Sequence, residues 1–262
     1  MARFTTLYSG SSGNSAVAES NGRFLLLDMG GSCKATVQSL QEVGLSPQGI
    51  DGILISHEHS DHIKGLKVFL KKFPVPVYAS AATVSALWRM DAVPPSADLF
   101  IMEEETQQVG SFMVEGFNLP HDAAGCMGFT IQAQESCMTI ATDLGFLHPS
   151  VFKKMQKSSL VALESNYDSH MLRTGPYPYA LKRRIESERG HLPNHEASQA
   201  VVSLVASGCR RIALCHLSNE NNSPYLVKQA MDQAFFAAGQ RPPEDLILQV
   251  APRYKPGIWM DF

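Results

Sequence analysis

Six consecutive residues, His57-Glu58-His59-Ser60-Asp61-His62, place the tightest constraint on how this chain can fold. Imidazole nitrogen suits zinc, iron and manganese alike, and carboxylate adds a hard oxygen donor. A strand-like run, Gly49 to Ser56, leads into the hexapeptide. A helix-like run follows it, with apolar Ile63, Leu66, Phe69, Leu70 and Phe73 at helical spacing. The donors therefore lie between a strand and a helix, where α/β proteins usually place their chemistry.

Three further donors share one context, a polar residue just after a strand-like run. His121 follows Phe117-Asn118-Leu119-Pro120, Asp143 follows Met138 to Thr142, and His216 follows Ile212-Ala213-Leu214-Cys215. Singly, each has an ordinary reading as a satisfied imidazole or a turn-forming aspartate. Strand ends that converge at one sheet edge bring His57, His59, Asp61, His62, His121, Asp143 and His216 together as a set. Spacing excludes a zincin helix, because the residue four after His57 is Asp61 rather than His. A structural zinc finger needs paired cysteines, and the chain has no CxxC.

With 262 residues and no Pro/Gly-rich linker, residues 1–262 read as a single mixed α/β domain. The balance of 44% hydrophobic and 18% charged residues is that of a soluble globular protein. Met1 to Ser15 reads as a strand and a Gly/Ser loop rather than a leader. Apolar runs such as Phe24 to Leu27 fall far short of the ~20 residues that span a bilayer, so no membrane partner is expected. Five cysteines without pair spacing fit free thiols, and the cytoplasm is the expected compartment. Among them, Cys126 and Cys215 read as small buried apolar residues. A net charge of −3 gives no global attraction to nucleic acid. The basic clusters Lys64/Lys67/Lys71/Lys72, Lys182-Arg183-Arg184 and Arg210-Arg211 read as solvated faces that permit a polyanionic substrate.

Alternation and apolar runs predict strands at Arg3–Tyr8, Ser15–Glu19, Phe24–Asp28, Ile53–Ser56, Val75–Tyr78, Phe112–Leu119, Phe129–Gln134, Met138–Thr142, Leu160–Leu163, Arg211–Cys215 and Leu246–Val250. Helices are expected near 32–43, 63–73, 81–90, 149–157, 195–207 and 224–239, with Gly239 as the last one's stop.

The pattern HxHxDH followed by distant His, Asp and His resembles the metallo-β-lactamase fold superfamily, which implies an α/β αββα four-layer sandwich. Carried over, the resemblance puts His57, His59 and His121 on one divalent ion and Asp61, His62 and His216 on a second, with Asp143 bridging. Zinc, manganese and iron all suit such ligation. Asp28 matches an aspartate that steadies a histidine ligand in this fold; a turn-forming role at a strand end explains it equally well.

Ser9-Gly10-Ser11-Ser12-Gly13-Asn14-Ser15, Glu164-Ser165-Asn166-Tyr167-Asp168, Gly190-His191-Leu192-Pro193-Asn194 and His216-Leu217-Ser218-Asn219-Glu220-Asn221-Asn222 together resemble the bacterial YycJ/WalJ-type subgroup, related to RNase Z and the β-CASP nucleases. The likeness spans about residues 3–239 and departs at Pro193, where the subgroup pattern has Ser. The tail after about 240 carries no recognised motif, and the chain is too short for the inserted β-CASP domain.

The resemblance implies a two-metal phosphodiesterase acting on nucleic acid, a 5′-3′ exonuclease with DNA placed ahead of RNA as substrate. Asp61, Glu164 and His191 are the catalytic candidates, with the His191–Glu164 pair supplying a proton to the leaving alkoxide. The rivals are a phosphodiesterase for a cyclic ribose phosphate, which the modest charge favours, and a glyoxalase-type thioesterase. Loop 9–15 reads either as a phosphate cradle or as a turn. Asn194, Ser218, Asn219, Asn221 and Asn222 read either as substrate contacts or as caps. Asp168 and His170 receive no catalytic role.

Overall fold

The computed structural model covers residues 1–262. The first half runs β1 (Ala2–Gly10), β2 (Gly13–Ser20), β3 (Arg23–Leu27), α1 (Cys33–Glu42), β4 (Ile50–Leu54), α2 (Ser60–Ile63), α3 (Leu66–Lys72), β5 (Val77–Ala79), α4 (Ala81–Arg89) and β6 (Leu99–Ile101). The second runs β7 (Thr106–Val109), β8 (Phe112–Asn118), β9 (Met127–Ala133), β10 (Ser136–Ala141), α5 (Pro149–Met155), β11 (Leu160–Glu164), α6 (Ser169–Thr174), α7 (Tyr179–Ile185), α8 (Asn194–Ala206), β12 (Arg211–Cys215), α9 (Pro224–Ala237), β13 (Ile247–Val250) and β14 (Met260–Asp261).

Two seven-stranded sheets result, ordered β14-β1-β2-β3-β4-β5-β6 and β13-β12-β11-β10-β9-β8-β7. Each is antiparallel at one side and parallel from β3 or β10 onward. The sheets face each other and helices cover both outer faces, which is the expected αββα sandwich. Both faces of a central strand are thus buried, which is why such strands read as unbroken apolar runs. Along β3, Leu25 and Leu27 join the core between the sheets, whereas Phe24 and Leu26 pack with Leu40 of α1 and Phe69 of α3. Along β11, Leu160 and Ala162 face the opposite sheet while Val161 and Leu163 meet α8 and α9 through Val201, Leu204, Val227 and Met231.

Phe112 lies fully buried in the core between the sheets. Replacing it with alanine should cost about 3–5 kcal/mol of unfolding free energy. A urea titration of Phe112→Ala with unchanged slope checks this, and a midpoint equal to wild type contradicts it.

The structure corrects one local expectation and adds detail at two segments left open. The helix expected at 63–73 is broken, with α2 ending at Ile63 and α3 beginning at Leu66. Gly65 in the break packs so closely on the 28–31 loop that a Cβ there would fall 2.2 Å from Gly31 O. The Gly/Ser loop is a tight hairpin turn, with Ser9 paired to Asn14 and Gly10 to Gly13. The unrecognised tail forms a strand of its own, β14 pairing antiparallel with β1. No helix is long and apolar enough to cross a membrane.

Candidate metal centre

Parallel strands end on the same side, so residues just past their C-terminal ends meet at one edge of the sandwich. Asp28 follows β3, His57 follows β4, Asp143 follows β10, and His216 follows β12, while Glu164 ends β11. The antiparallel strand β8 delivers His121. Three of these residues have left-handed backbone: Asp28 (φ 58°), Asp143 (φ 62°) and His216 (φ 56°). Asp and His tolerate that region better than bulky residues, and here it turns the chain sharply off the strand.

The hexapeptide is pressed into place by the loop after β3. Met29 N donates to His62 O (2.7 Å) and Gly65 N to Met29 O (3.0 Å). A Cβ on Gly30 would fall 1.6 Å from Asp61 O, so only glycine permits this approach. Asp61 and His62 lie within the first turns of α2, not in a loop as expected.

The structure brings all seven expected donors together. The donor atoms of His57, His59 and His121 lie within 4.8 Å of one another, and so do those of Asp61, His62 and His216. Asp143 groups with His57 and His62 and also with Glu164, His191 and His216. The segment before β7 supplies four of the seven residues and the segment from β7 onward three.

Hydrogen bonds behind the imidazoles aim their free nitrogens inward. His62 Nδ1 lies 2.8 Å from Asp28 Oδ2, His216 Nδ1 lies 2.6 Å from Glu164 Oε1, and His121 Nδ1 lies 3.0 Å from Gly190 O. Each acceptor takes a proton from Nδ1 and leaves an Nε2 lone pair facing the cluster. Asp28 is further fixed by Ser56 N and Ser56 Oγ, both at 2.8 Å, so it steadies His62 as well as ending its strand.

Two buried atoms here, His57 Nε2 and Asp143 Oδ2, have no hydrogen-bond partner. Leaving such atoms unsatisfied costs about 1–3 kcal/mol each, and a cation among the lone pairs removes that cost. The donor set of imidazole nitrogens and carboxylate oxygens fits a divalent metal ion.

The electrostatics agree. Burial opposes charge on His216, yet Asp143, Asp61 and Glu164 push its pKa up from 6.5 to about 10. Burial likewise opposes charge on His62, and Asp143 and Asp28 raise it well above the ordinary value. Burial, then the charges of His62, His121 and His59, drive His57 well below it. Burial works to raise Asp61 and Glu164, but both are held far below the carboxylate range, Asp61 by hydrogen bonds from His216 and His62 and Glu164 by His191 and His216. Without a cation, protons on His62 and His216 would balance the buried carboxylates in its place.

This has a measurable sign in chelator-treated protein. A histidine whose folded pKa is raised stabilises fully below its unfolded value and loses that contribution as pH rises through the folded one. For His216 the loss runs from 6.5 towards about 10. Asp61 and Glu164, with depressed values, stabilise above their ordinary 3.8 and 4.5 and lose that as pH falls. The thermal midpoint of metal-free protein should peak between about pH 5 and 6.5 and decline on both sides. A divalent ion should restore the alkaline limb, because metal binds the deprotonated imidazoles. A midpoint that stays flat in chelator from neutral pH to pH 10 contradicts this account.

His191 stands at the rim, its side chain 20% exposed, with Nδ1 2.9 Å from Glu164 Oε1. Glu164 Oε2 accepts from Leu192 N (2.9 Å) and Leu144 N (3.2 Å). One carboxylate therefore holds both His191 and His216, which the sequence did not reveal. Two other neighbours were also missed. Asn14 Nδ2 lies 3.3 Å from Asp61 Oδ2 and 3.2 Å from His62 Nε2, and Arg189 donates to His121 O at 2.9 and 3.1 Å. Asn14 belongs to a flagged loop; nothing in the sequence marks Arg189.

Several remaining candidates serve the scaffold. Asn194 and Asn222 are buried and bond to each other and to Ser165, whereas Asn221 is buried with neither side-chain polar atom hydrogen-bonded. Asp168 caps α6 through Met171 N (2.8 Å). Cys126 and Cys215 are buried thiols, which burial pushes up, Cys215 to about 12. Among the basic clusters, Arg184 pairs with Asp122 and Arg210 with Asp245. Only Asn219 stays exposed among the flagged asparagines.

The geometry has relatives. A family model described as a β-lactamase superfamily domain matches residues 25–216. The exodeoxyribonuclease YycJ of Bacillus anthracis is 35% identical over 237 residues, 90% of this chain and 90% of that protein. The exodeoxyribonuclease WalJ of Streptococcus pneumoniae serotype 2 (strain D39) is 32% identical over 87% of this chain and 86% of its own length. The crystal structure of the metallo-β-lactamase fold protein YhfI from Bacillus subtilis superposes with a TM-score of 0.73, covering 98% of this chain and 99% of that one at 15% identity.

Proposed function

Since the chain belongs to the β-lactamase superfamily, we propose that it is a metal-dependent hydrolase of phosphodiester bonds, an exodeoxyribonuclease working in the 5′-3′ direction in the cytoplasm. The observation that carries the reading is Glu164 binding His216 of the donor cluster and His191 at its rim with the same oxygen. A metal-only scaffold has no use for the second histidine; hydrolysis that expels an alkoxide needs a proton donor there.

His57, His59 and His121 would hold one ion and Asp61, His62 and His216 a second, with Asp143 between them. Bound divalent ions supply Lewis-acid charge to the phosphate oxygens and activate water for attack. The chain's own groups do the rest. Asp28, Glu164 and Gly190 O keep the imidazoles turned inward. His191, its Nδ1 committed to Glu164, presents Nε2 to the leaving oxygen and delivers the proton there. That the relatives YycJ and WalJ are exodeoxyribonucleases supports DNA as substrate.

The test loads the purified protein with zinc, manganese or iron and offers 5′-labelled single- and double-stranded DNA and RNA. Early release of labelled mononucleotide from DNA is the expected result. No cleavage with any metal sinks the nuclease reading.

A further inference from the structure

The C-terminal tail runs back along the first sheet. Ser9 N donates to Pro252 O (3.2 Å), Gly257 N to Thr6 O (2.9 Å), and the Arg3 guanidinium lies 4.1 Å over the Trp259 ring. This path sets Arg253 and Tyr254 against the loop that follows His216. Arg253 donates from Nη1 to Asn219 Oδ1 (2.9 Å) and from Nη2 to Ser218 O (2.8 Å). The Tyr254 hydroxyl donates to the same Asn219 Oδ1 (3.3 Å), and Asn219 N donates to Ser11 Oγ in the β1–β2 turn (3.2 Å). Three segments far apart in sequence therefore meet at Asn219.

Fold packing leaves two properties of this meeting point unexplained. Tyr254 is tethered at its hydroxyl and has the Arg253 guanidinium 5.9 Å from its ring centroid, yet it stays 74% exposed, so a fixed aromatic face is turned to solvent. Arg253 spends its bonds on uncharged oxygens, and its Nε is buried without an acceptor. A guanidinium so held keeps its charge for an anion.

The shelf adjoins the metal centre. His216 N donates to Ser9 Oγ (2.9 Å), and a Cβ on Gly10 would lie 3.0 Å from Arg253 Cγ and 3.2 Å from Leu217 O. Asn14, which closes the same turn on Gly10, is the residue that reaches Asp61.

Building on the nuclease reading, we propose that Arg253, Tyr254 and Asn219 form a binding shelf for the single-stranded end of a polynucleotide. Tyr254 stacks on a base, and Arg253 takes a backbone phosphate beside the one being cleaved. Stacking of this kind is indifferent to sequence, because every base presents a π-face, which suits an enzyme that degrades whole strands.

The experiment measures binding of a labelled, phosphorothioate-linked oligothymidylate to the metal-loaded protein by fluorescence anisotropy, alongside cleavage of ordinary DNA by wild type. Tyr254→Ala should weaken binding about 10- to 100-fold. Tyr254→Phe, which keeps the ring and loses the tether, should stay within about twofold of wild type. Arg253→Gln should weaken binding and reduce the slope of log affinity against log salt by about 0.7, one single-strand phosphate contact. Phe236→Ala, an 88%-exposed aromatic on α9, should change nothing. Thermal midpoints confirm that each variant is folded. Equal affinity in Tyr254→Ala and Arg253→Gln overturns the shelf, and so does an equal loss in Tyr254→Ala and Tyr254→Phe; wild-type cleavage would still uphold the nuclease. Wild type that neither binds nor cleaves the oligonucleotide removes both.

Discussion

Asp143→Asn should emerge from purification with most of its metal missing and with phosphodiester hydrolysis reduced by more than about 100-fold. Removing a group behind a ligand typically costs 10–100-fold in affinity or activity, so removing a donor itself sets the floor near the upper figure. Asp143 falls in one donor group with His57 and His62, one member of each proposed ion site, and its Oδ2 is a buried atom without a hydrogen-bond partner. Its charge is also the strongest influence that raises both His62 and His216. Asparagine is nearly isosteric, so packing survives while the charge is lost. If its amide nitrogen occupies the Oδ2 position, it directs N–H groups at His62 Nε2, 3.3 Å away in the native protein. Elemental analysis after gel filtration, paired with hydrolysis of bis-p-nitrophenyl phosphate, reads both effects. Full metal content in the variant would falsify the assignment of Asp143 as a shared ligand.

His191→Ala makes the opposite pair of readings. Metal content should equal wild type, whereas DNA cleavage should drop by ~10²–10⁴-fold, the usual worth of a positioned general acid. The truncation leaves Glu164 well bonded, since His216, Leu192 N and Leu144 N remain its partners. No buried charge is orphaned, so the loss reports on chemistry rather than folding. Substrate choice sharpens the result. A p-nitrophenolate leaves without a proton, so the defect on bis-p-nitrophenyl phosphate should be far smaller than on DNA. Equal defects on both substrates would assign His191 to binding or positioning instead.

The sequence exposed the centre because its donors sit where the chain is most legible. Phe24 to Leu27, Leu160 to Leu163 and Ile212 to Cys215 are buried on both faces, so each reads as an apolar run with a polar residue at or just past its end. The short strands β6, β7 and β14 were missed because they are two- to four-residue edge elements, too short for a periodic signal. The break between α2 and α3 was hidden because its cause is tertiary: Gly31 O presses on Gly65 from another part of the chain. Glu164 was assigned one histidine because its second, His216, lies 52 residues away and meets it only through the parallel register of β11 and β12. The tail gave no signal for a similar reason, its contacts to Ser9 and Asn219 being long-range main-chain and side-chain bonds without periodicity.

The spacing of the donors along the chain bears on when the molecule becomes dangerous. During synthesis the four hexapeptide donors leave the ribosome long before His121, Asp143 and finally His216. A nascent chain shorter than that last histidine lacks a complete centre, and the shelf residues Arg253 and Tyr254 come later still. Products that stop before His216 would therefore lack part of the centre that the proposed cleavage of DNA needs, a safeguard written into chain order alone.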